Sequence, residues 1–155
     1  MKVARIVKQR HAATAYDGKG ASLAGGRWNP QGAFMVYTSE NISLALLENL
    51  VHLQSASALA IEHAYIAAEV PDDAVMTVEA FDRNYHRKPP EQVGLDWLQS
   101  GLSIGLIVPS QVVPLEHNLL LNPQHPDFPR VVLSPAVPQP FDPRLKSLDD
   151  DTPAP

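Results

Sequence analysis

The run Gly25-Gly26-Arg27-Trp28-Asn29-Pro30, followed by Tyr37-Thr38 and then Glu48, offers a guanidinium, aromatic rings and a carboxylate close enough in the chain to converge. A guanidinium stays protonated, and its planar fork donates paired hydrogen bonds to phosphate oxygens in a way that lysine does not reproduce. Gly25 and Gly26 permit close approach of the backbone to a ligand. If Glu48 lies on a helix, its neighbours at i−4, i+3 and i+4 are Leu44, Val51 and His52, which set the carboxylate beside an apolar stripe instead of opposite it. A carboxylate aimed into a cleft from such a position stabilises positive charge developing on a sugar, as in glycoside cleavage. The purely structural alternatives are a glycine turn, a core Trp28, a surface Arg27, and a half-sheltered Glu48 paired with a core arginine.

Further candidates lie on either side. Arg5 falls in an apolar first segment and is a second phosphate ligand or else a salt-bridge partner at a sheet edge. Tyr37 ends a short apolar run, where its ring can stack on a substrate ring while its hydroxyl finds a polar partner. Ser110 follows an apolar segment and Pro109 at what reads as a cleft rim; with no histidine identifiable as its base, its role is hydrogen bonding to substrate and not nucleophilic attack. Asn118, Asn122 and His125 flank Leu119-Leu120-Leu121 and read as residues that tie turns together. His117 and His125 fit no common zinc spacing, and Lys19-Gly20 lacks the full phosphate-loop pattern, so neither a metal centre nor an ATPase is indicated.

The elements that must position these groups follow from periodicity. Val3 to Val7 reads as a first strand, and His11 to Asn29 as a polar loop too long for an ordinary connection. Ala33 to Thr38 is a second strand, and Ser39 or Asn41 caps a helix reaching about Gln54. Ala58 to Val70 carries both β-branched residues and helix-favouring alanines; the Pro71-Asp72-Asp73 stop favours a strand. Val75–Val78, Ile104–Val108, Asn118–Leu121 and Arg130–Leu133 are further short strands, Asp82–Pro90 is a loop, and Gln92–Ser100 is a helix stopped by Gly101. Short strands with a few helices give an α+β domain over 1–145, and the acidic, proline-containing tail 146–155 is expected to be disordered.

Composition narrows the function classes. A chain of 155 residues with 45% hydrophobic and 19% charged residues is about the size of one globular domain. No apolar run approaches the roughly 20 residues that span a bilayer, so no membrane role is expected. The absence of cysteine excludes disulfides, thiolate metal sites and a thiol nucleophile, and fits a cytoplasmic address. A formal charge of −5 argues against direct nucleic-acid binding. The 15 prolines, about twice the usual share of roughly 5%, punctuate the second half into short strands and turns.

The segments Arg5-Ile6, Gly18-Lys19-Gly20-Ala21, Gly25-Gly26-Arg27-Trp28-Asn29, Val36-Tyr37-Thr38, Ala45-Leu46-Leu47-Glu48, Pro109-Ser110 and Asn118-Leu119-Leu120-Leu121-Asn122-Pro123 occur in an order and spacing that resembles the RES-domain family. The resemblance runs from about Val3 to about Pro143. It implies a fold like that of the ADP-ribosyltransferases and a toxin of a type II toxin–antitoxin system. It also implies NAD as the substrate, with no metal, and loss of nicotinamide with transfer of ADP-ribose to water, phosphate or a protein acceptor. The partner it implies is an Xre-type helix-turn-helix antitoxin. By position it makes Glu48 and Arg27 catalytic and gives Arg5, Arg27, Tyr37 and Ser110 to substrate binding, leaving open which arginine gives the family its name. Two other readings use the same residues: a nucleotide- or partner-binding module without turnover, and a small ribonuclease with Glu48 and His52 as acid and base.

Overall fold

The computed structural model describes residues 1–53 and 56–145, so the expected tail 146–155 and the expected helix end at Gln54 lie outside the described residues. The chain begins with β1 (Lys2–Lys8), continues through a 3-10 turn (Gln9–Thr14) into α1 (Lys19–Ala24), and then forms β2 (Val36–Ser39) and α2 (Ile42–His52). The stretch His11–Asn29, expected as loop, thus contains a 3-10 turn and a short helix. The glycine-containing turn that follows them is much shorter, because Gly25 at φ 72° ends α1. Asn41 caps α2, its Oδ1 accepting from the Leu44 amide at 2.8 Å.

Next come β3 (His63–Glu69), β4 (Val75–Thr77), α3 (Val78–Phe81) and α4 (Pro90–Ser100). The strand expected over Ala58–Val70 is shorter than its pattern, since Ala56–Ala60 winds into a 3-10 turn that buries Leu59 beside Ala45 and Phe141. Val78, expected to end a strand, starts α3 instead, because the Thr77 hydroxyl accepts from the Ala80 amide at 3.2 Å and so caps a helix there. Gly101 adopts φ 59° and stops α4 as its position suggested. The chain closes with β5 (Gly105–Pro109), β6 (His117–Leu121), β7 (Val132–Leu133) and β8 (Val137–Pro138). Arg130 belongs to a 3-10 turn and not to the strand.

These strands form one eight-stranded sheet in the order β4-β5-β6-β2-β1-β3-β7, with β8 also paired to β3. Only β4 and β5 run parallel, joined through α3 and α4. The architecture is α+β. Leu119-Leu120-Leu121 shows why the central strands read as continuous apolar runs: Leu119 and Leu121 pack with Val3, Val36 and Ile66, while Leu120 packs with Trp28, Met35 and Trp97. A third cluster, Ala4, Ile6, Ala45 and Phe141, seats α2 against β1.

One interruption in this sheet matters for function. β1 and β2 pair only at Ala4↔Ser39, whereas β1 and β3 pair along their whole length. Past that pair, where Arg5 and Ile6 run alongside Thr38 and Tyr37, the two strands part, and their freed groups turn to side chains. The Tyr37 carbonyl accepts from Arg5 Nη1, and the Ile6 carbonyl accepts from Asn49 Nδ2 at 3.2 Å.

Candidate active site

The gap between β1 and β2 opens into a cavity of about 640 Å³, within the usual range for a small-molecule site. Arg5, Arg27, Trp28, Tyr37, Glu48 and His52 all line it. Residues spread over 48 positions therefore converge, each delivered by a different device.

Glu48 projects from α2, and its Oε1 accepts from Ser110 Oγ at 2.8 Å and from Asn118 Nδ2 at 2.6 Å. Among the described residues no hydrogen bond reaches Oε2. The carboxylate is therefore fixed through one oxygen and presents the other. Asn118 is itself held, its Oδ1 accepting from Ser39 Oγ at 2.8 Å. Ser110 is buried, and its hydroxyl accepts from the Val112 and Val113 amides at 3.1 and 3.0 Å while donating to Glu48. The structure thus places Ser110 behind Glu48, with its neighbours Pro109, Gln111 and Val112 on the cavity wall.

Tyr37 is the pin of the glycine-containing turn. Its hydroxyl donates to Asn29 Oδ1 at 2.7 Å and accepts from the Trp28 amide at 3.0 Å. Burial pushes its phenol up to about 12, so the ring stays neutral through the physiological range. Asn29, fully buried, donates from Nδ2 to the Ala21 and Ala33 carbonyls, both at 3.0 Å, and ties α1 to the turn. Gly26 is required here by contact with the protein itself: a Cβ at that position would lie 2.6 Å from Tyr37 Oη and 2.9 Å from Asn29 Oδ1. The turn buries Trp28 in the core and leaves Arg27 exposed at the cavity, with no ion pair or hydrogen bond among the described residues.

Arg5 differs from Arg27 in every respect except charge. Arg5 is half-buried in the seam: Nη1 donates to the Tyr37 carbonyl, and Nε is buried with no partner among the described residues. Burial lowers its pKa, which nearby Tyr16 and Asp17 partly oppose, and no carboxylate forms an ion pair with it among the described residues. The sheet-edge salt bridge weighed from the sequence is absent from this set. A desolvated cation without a counter-ion is costly and suits a site that receives an anion.

Other candidates fall elsewhere. His117 Nδ1 sits 3.7 Å from Glu40, and His125 Nε2 lies 3.0 Å from the Gly101 carbonyl, so the two imidazoles serve separate loops. Asn122 holds the turn after β6, its Oδ1 accepting from the Gln124 amide at 3.0 Å. Asn118, read from sequence in the same way, instead lies within β6 and grips Glu48. Its signal was available: a polar residue heads an otherwise apolar buried strand. Asn29 carried a weaker one, an amide wedged between Trp28 and Pro30. No helix among the described residues is long and apolar enough to cross a membrane.

Comparison with known proteins agrees with this construction. The family model described as RES domain matches residues 2–142. A protein of Yersinia enterocolitica named Toxin Res is 42% identical over 154 residues, covering 94% of this chain and 100% of that one. A protein of a Sphingobium species named Prs ADP-ribosylating toxin is 36% identical over 138 residues, covering 83% of this chain and 85% of its own. Among solved structures, a chain of the M. tuberculosis MbcT–MbcA toxin–antitoxin complex superposes with a TM-score of 0.71 at 20% identity, over 94% of this chain and 86% of that chain, a likeness of fold. With a cavity assembled from the motifs that suggested the family and a family match across nearly its whole length, the chain belongs to the RES-domain family.

Proposed function

We propose that this protein is an NAD-degrading toxin that breaks the bond between nicotinamide and ribose and passes ADP-ribose to water, phosphate or a protein side chain. The observation that carries the reading is one cavity lined by two arginines, Tyr37 and a Glu48 whose Oε2 takes no hydrogen bond among the described residues. Arg5 and Arg27 hold the pyrophosphate by charge-assisted hydrogen bonds. Tyr37 frames the nicotinamide end. Glu48 Oε2 accepts from a ribose hydroxyl and stabilises the oxocarbenium character at C1′ as the carbon–nitrogen bond breaks. The bonding electrons leave with nicotinamide, neutralising its ring nitrogen; an acceptor oxygen or nitrogen then attacks C1′ and gives up its proton.

The names of the Yersinia and Sphingobium relatives support a toxin, and the Sphingobium name supports ADP-ribose transfer. The toxin–antitoxin complex of similar fold supports control by an antitoxin. We assign that partner to the Xre helix-turn-helix type, covering the cavity, and place the reaction in the cytoplasm, where its substrate is abundant. The test is to incubate the pure protein with NAD, with and without phosphate and candidate protein acceptors, and identify every product by mass spectrometry. Free nicotinamide that disappears with Glu48→Gln supports the reading. Binding of NAD without release would leave a binding module, and RNA cleavage lost with His52→Ala but indifferent to NAD would replace it with a ribonuclease.

A further inference from the structure

A separate cavity of about 400 Å³ lies at the start of β3 and shares no lining residue with the active-site cavity. Leu59, Ile61, Pro138, Pro140 and Phe141 give it apolar walls, and no lysine or arginine lines it. Two of its polar groups are unengaged. The first belongs to His63, which heads β3 and is only 4% exposed. Its Nδ1 lies 2.6 Å from the Ile61 carbonyl; because a carbonyl only accepts, Nδ1 carries the proton and Nε2 of the neutral ring is a bare acceptor. Phe141 meets the imidazole edge-on at a centroid distance of 4.7 Å and fixes its plane. Nε2 takes no hydrogen bond among the described residues, yet the buried side-chain polar atom left without a partner there is Arg5 Nε, so His63 Nε2 opens into the cavity that its ring lines. The second group is the exposed Glu62 carboxylate at the rim, which has no ion pair or hydrogen bond among the described residues.

We propose that this cavity binds a small aromatic amine, a phenol or indole ring carrying an ammonium group. The ring lies against the prolines and Phe141, its O–H or N–H donates to His63 Nε2, and the ammonium pairs with Glu62. The lining selects against other guests. With one carboxylate and no cationic side chain it repels phosphates and carboxylates, which sets it apart from the arginine-lined cavity and from any part of the dinucleotide proposed there. A purely aliphatic guest would strand Nε2, an acceptor that loses water and gains no donor. The volume, towards the lower end of the usual range for small-molecule sites, suits a single ring or a fused pair. Leu59 and Phe141 also pack with Ala45, so the walls of this site continue into the packing of α2, the helix that carries Glu48.

The test titrates tyramine, and tryptamine as its indole counterpart, into the wild-type chain by calorimetry, and follows the ring resonances of His63 and the methyl resonances of Leu59 and Ile61 by NMR. Saturable binding is expected, with shifts at those residues and no displacement by saturating NAD. Phenethylamine, which lacks the hydroxyl, and p-cresol, which lacks the ammonium, should each bind at least about fivefold more weakly than tyramine. Glu62→Gln, at an exposed position, should bring tyramine down to the level of p-cresol. His63→Phe, its fold checked by circular dichroism, should erase the preference for tyramine over phenethylamine; if that variant does not fold, the comparison of the two amines on the wild-type chain and the Glu62→Gln result decide. Absence of binding by both tyramine and tryptamine, shifts confined to the arginine-lined cavity, displacement by NAD, equal affinity for tyramine, phenethylamine and p-cresol, or affinity indifferent to Glu62→Gln overturns the assignment. None of these measurements uses turnover, so the site stands or falls separately from the proposed reaction.

Discussion

Ser110 Oγ lies 2.8 Å from Glu48 Oε1, joining the end of β5 to the middle of α2. The same hydroxyl accepts from two backbone amides, so one buried oxygen orients both a loop and a carboxylate. Ser110→Ala removes a donor from Glu48 and strands the Val112 and Val113 amides. The expected outcome is a kcat for nicotinamide release lower by about 10- to 100-fold with KM for NAD nearly unchanged. A stability loss of about 1–3 kcal/mol in denaturant unfolding accompanies it, the usual cost of unsatisfied buried groups.

Arg5 gives a variant in which stability and function separate. Arg5→Met removes a desolvated cation that has no ion-pair partner among the described residues, and keeps most of its volume. Its only hydrogen bond among the described residues, to the Tyr37 carbonyl, is lost. Because burying an unpaired charge is costly, the melting temperature is expected to hold or rise while NAD affinity drops at least about tenfold. A large fall in melting temperature would show that the guanidinium is a structural post across the strand gap.

Tyr37 sets a dependence on alkaline pH. Its phenol is raised by burial to about 12 from an ordinary value near 10, so between those values the unfolded chain has lost a proton that the folded chain keeps. The stabilisation is complete below about pH 10 and is lost as pH rises towards 12. Tyr16, also raised by burial, acts in the same direction. Chemical unfolding across that range should show a falling stability whose slope is shallower in Tyr37→Phe. The same variant releases the Trp28 amide and Asn29 Oδ1, and its KM for NAD is expected to rise about tenfold while kcat changes less.

Gly94 lies on α4 directly against the turn that presents Arg27. A methyl group there would overlap the Trp28 carbonyl oxygen and sit 2.8 Å from its carbon, so helix or turn must move. Gly94→Ala improves helix propensity by roughly 1 kcal/mol in isolation, yet overpacking of this kind costs about 1–3 kcal/mol. A lower melting temperature together with a raised KM for NAD is expected, and thermal unfolding alongside steady-state kinetics checks both. A more stable variant with unchanged kinetics would show that α4 does not set the turn.

What the sequence disclosed is local in origin. Asn41 as a cap, Gly101 as a stop and the three consecutive leucines of β6 all follow from rules that act within a few residues, and each took its expected place. Val78 went the other way because a single Thr77 hydroxyl outweighed a β-branched residue. The convergence of Arg5, Arg27, Tyr37 and Glu48 on one cavity was reached through family likeness, since no periodicity reveals that β1 and β2 separate after one residue pair. Ser110 and Asn118 behind Glu48 were hidden for the same reason: their register is set by the sheet order, which pairs residues far apart in the chain.

That long-range register has a bearing on how the protein is made. A ribosome has already delivered Arg27, Tyr37 and Glu48 long before Ser110 and Asn118 emerge, and the acid has nothing to steady it until both arrive. On the proposed function, a nascent or prematurely terminated polypeptide therefore carries Arg27, Tyr37 and Glu48 without the two groups that hold the carboxylate until synthesis has passed β6.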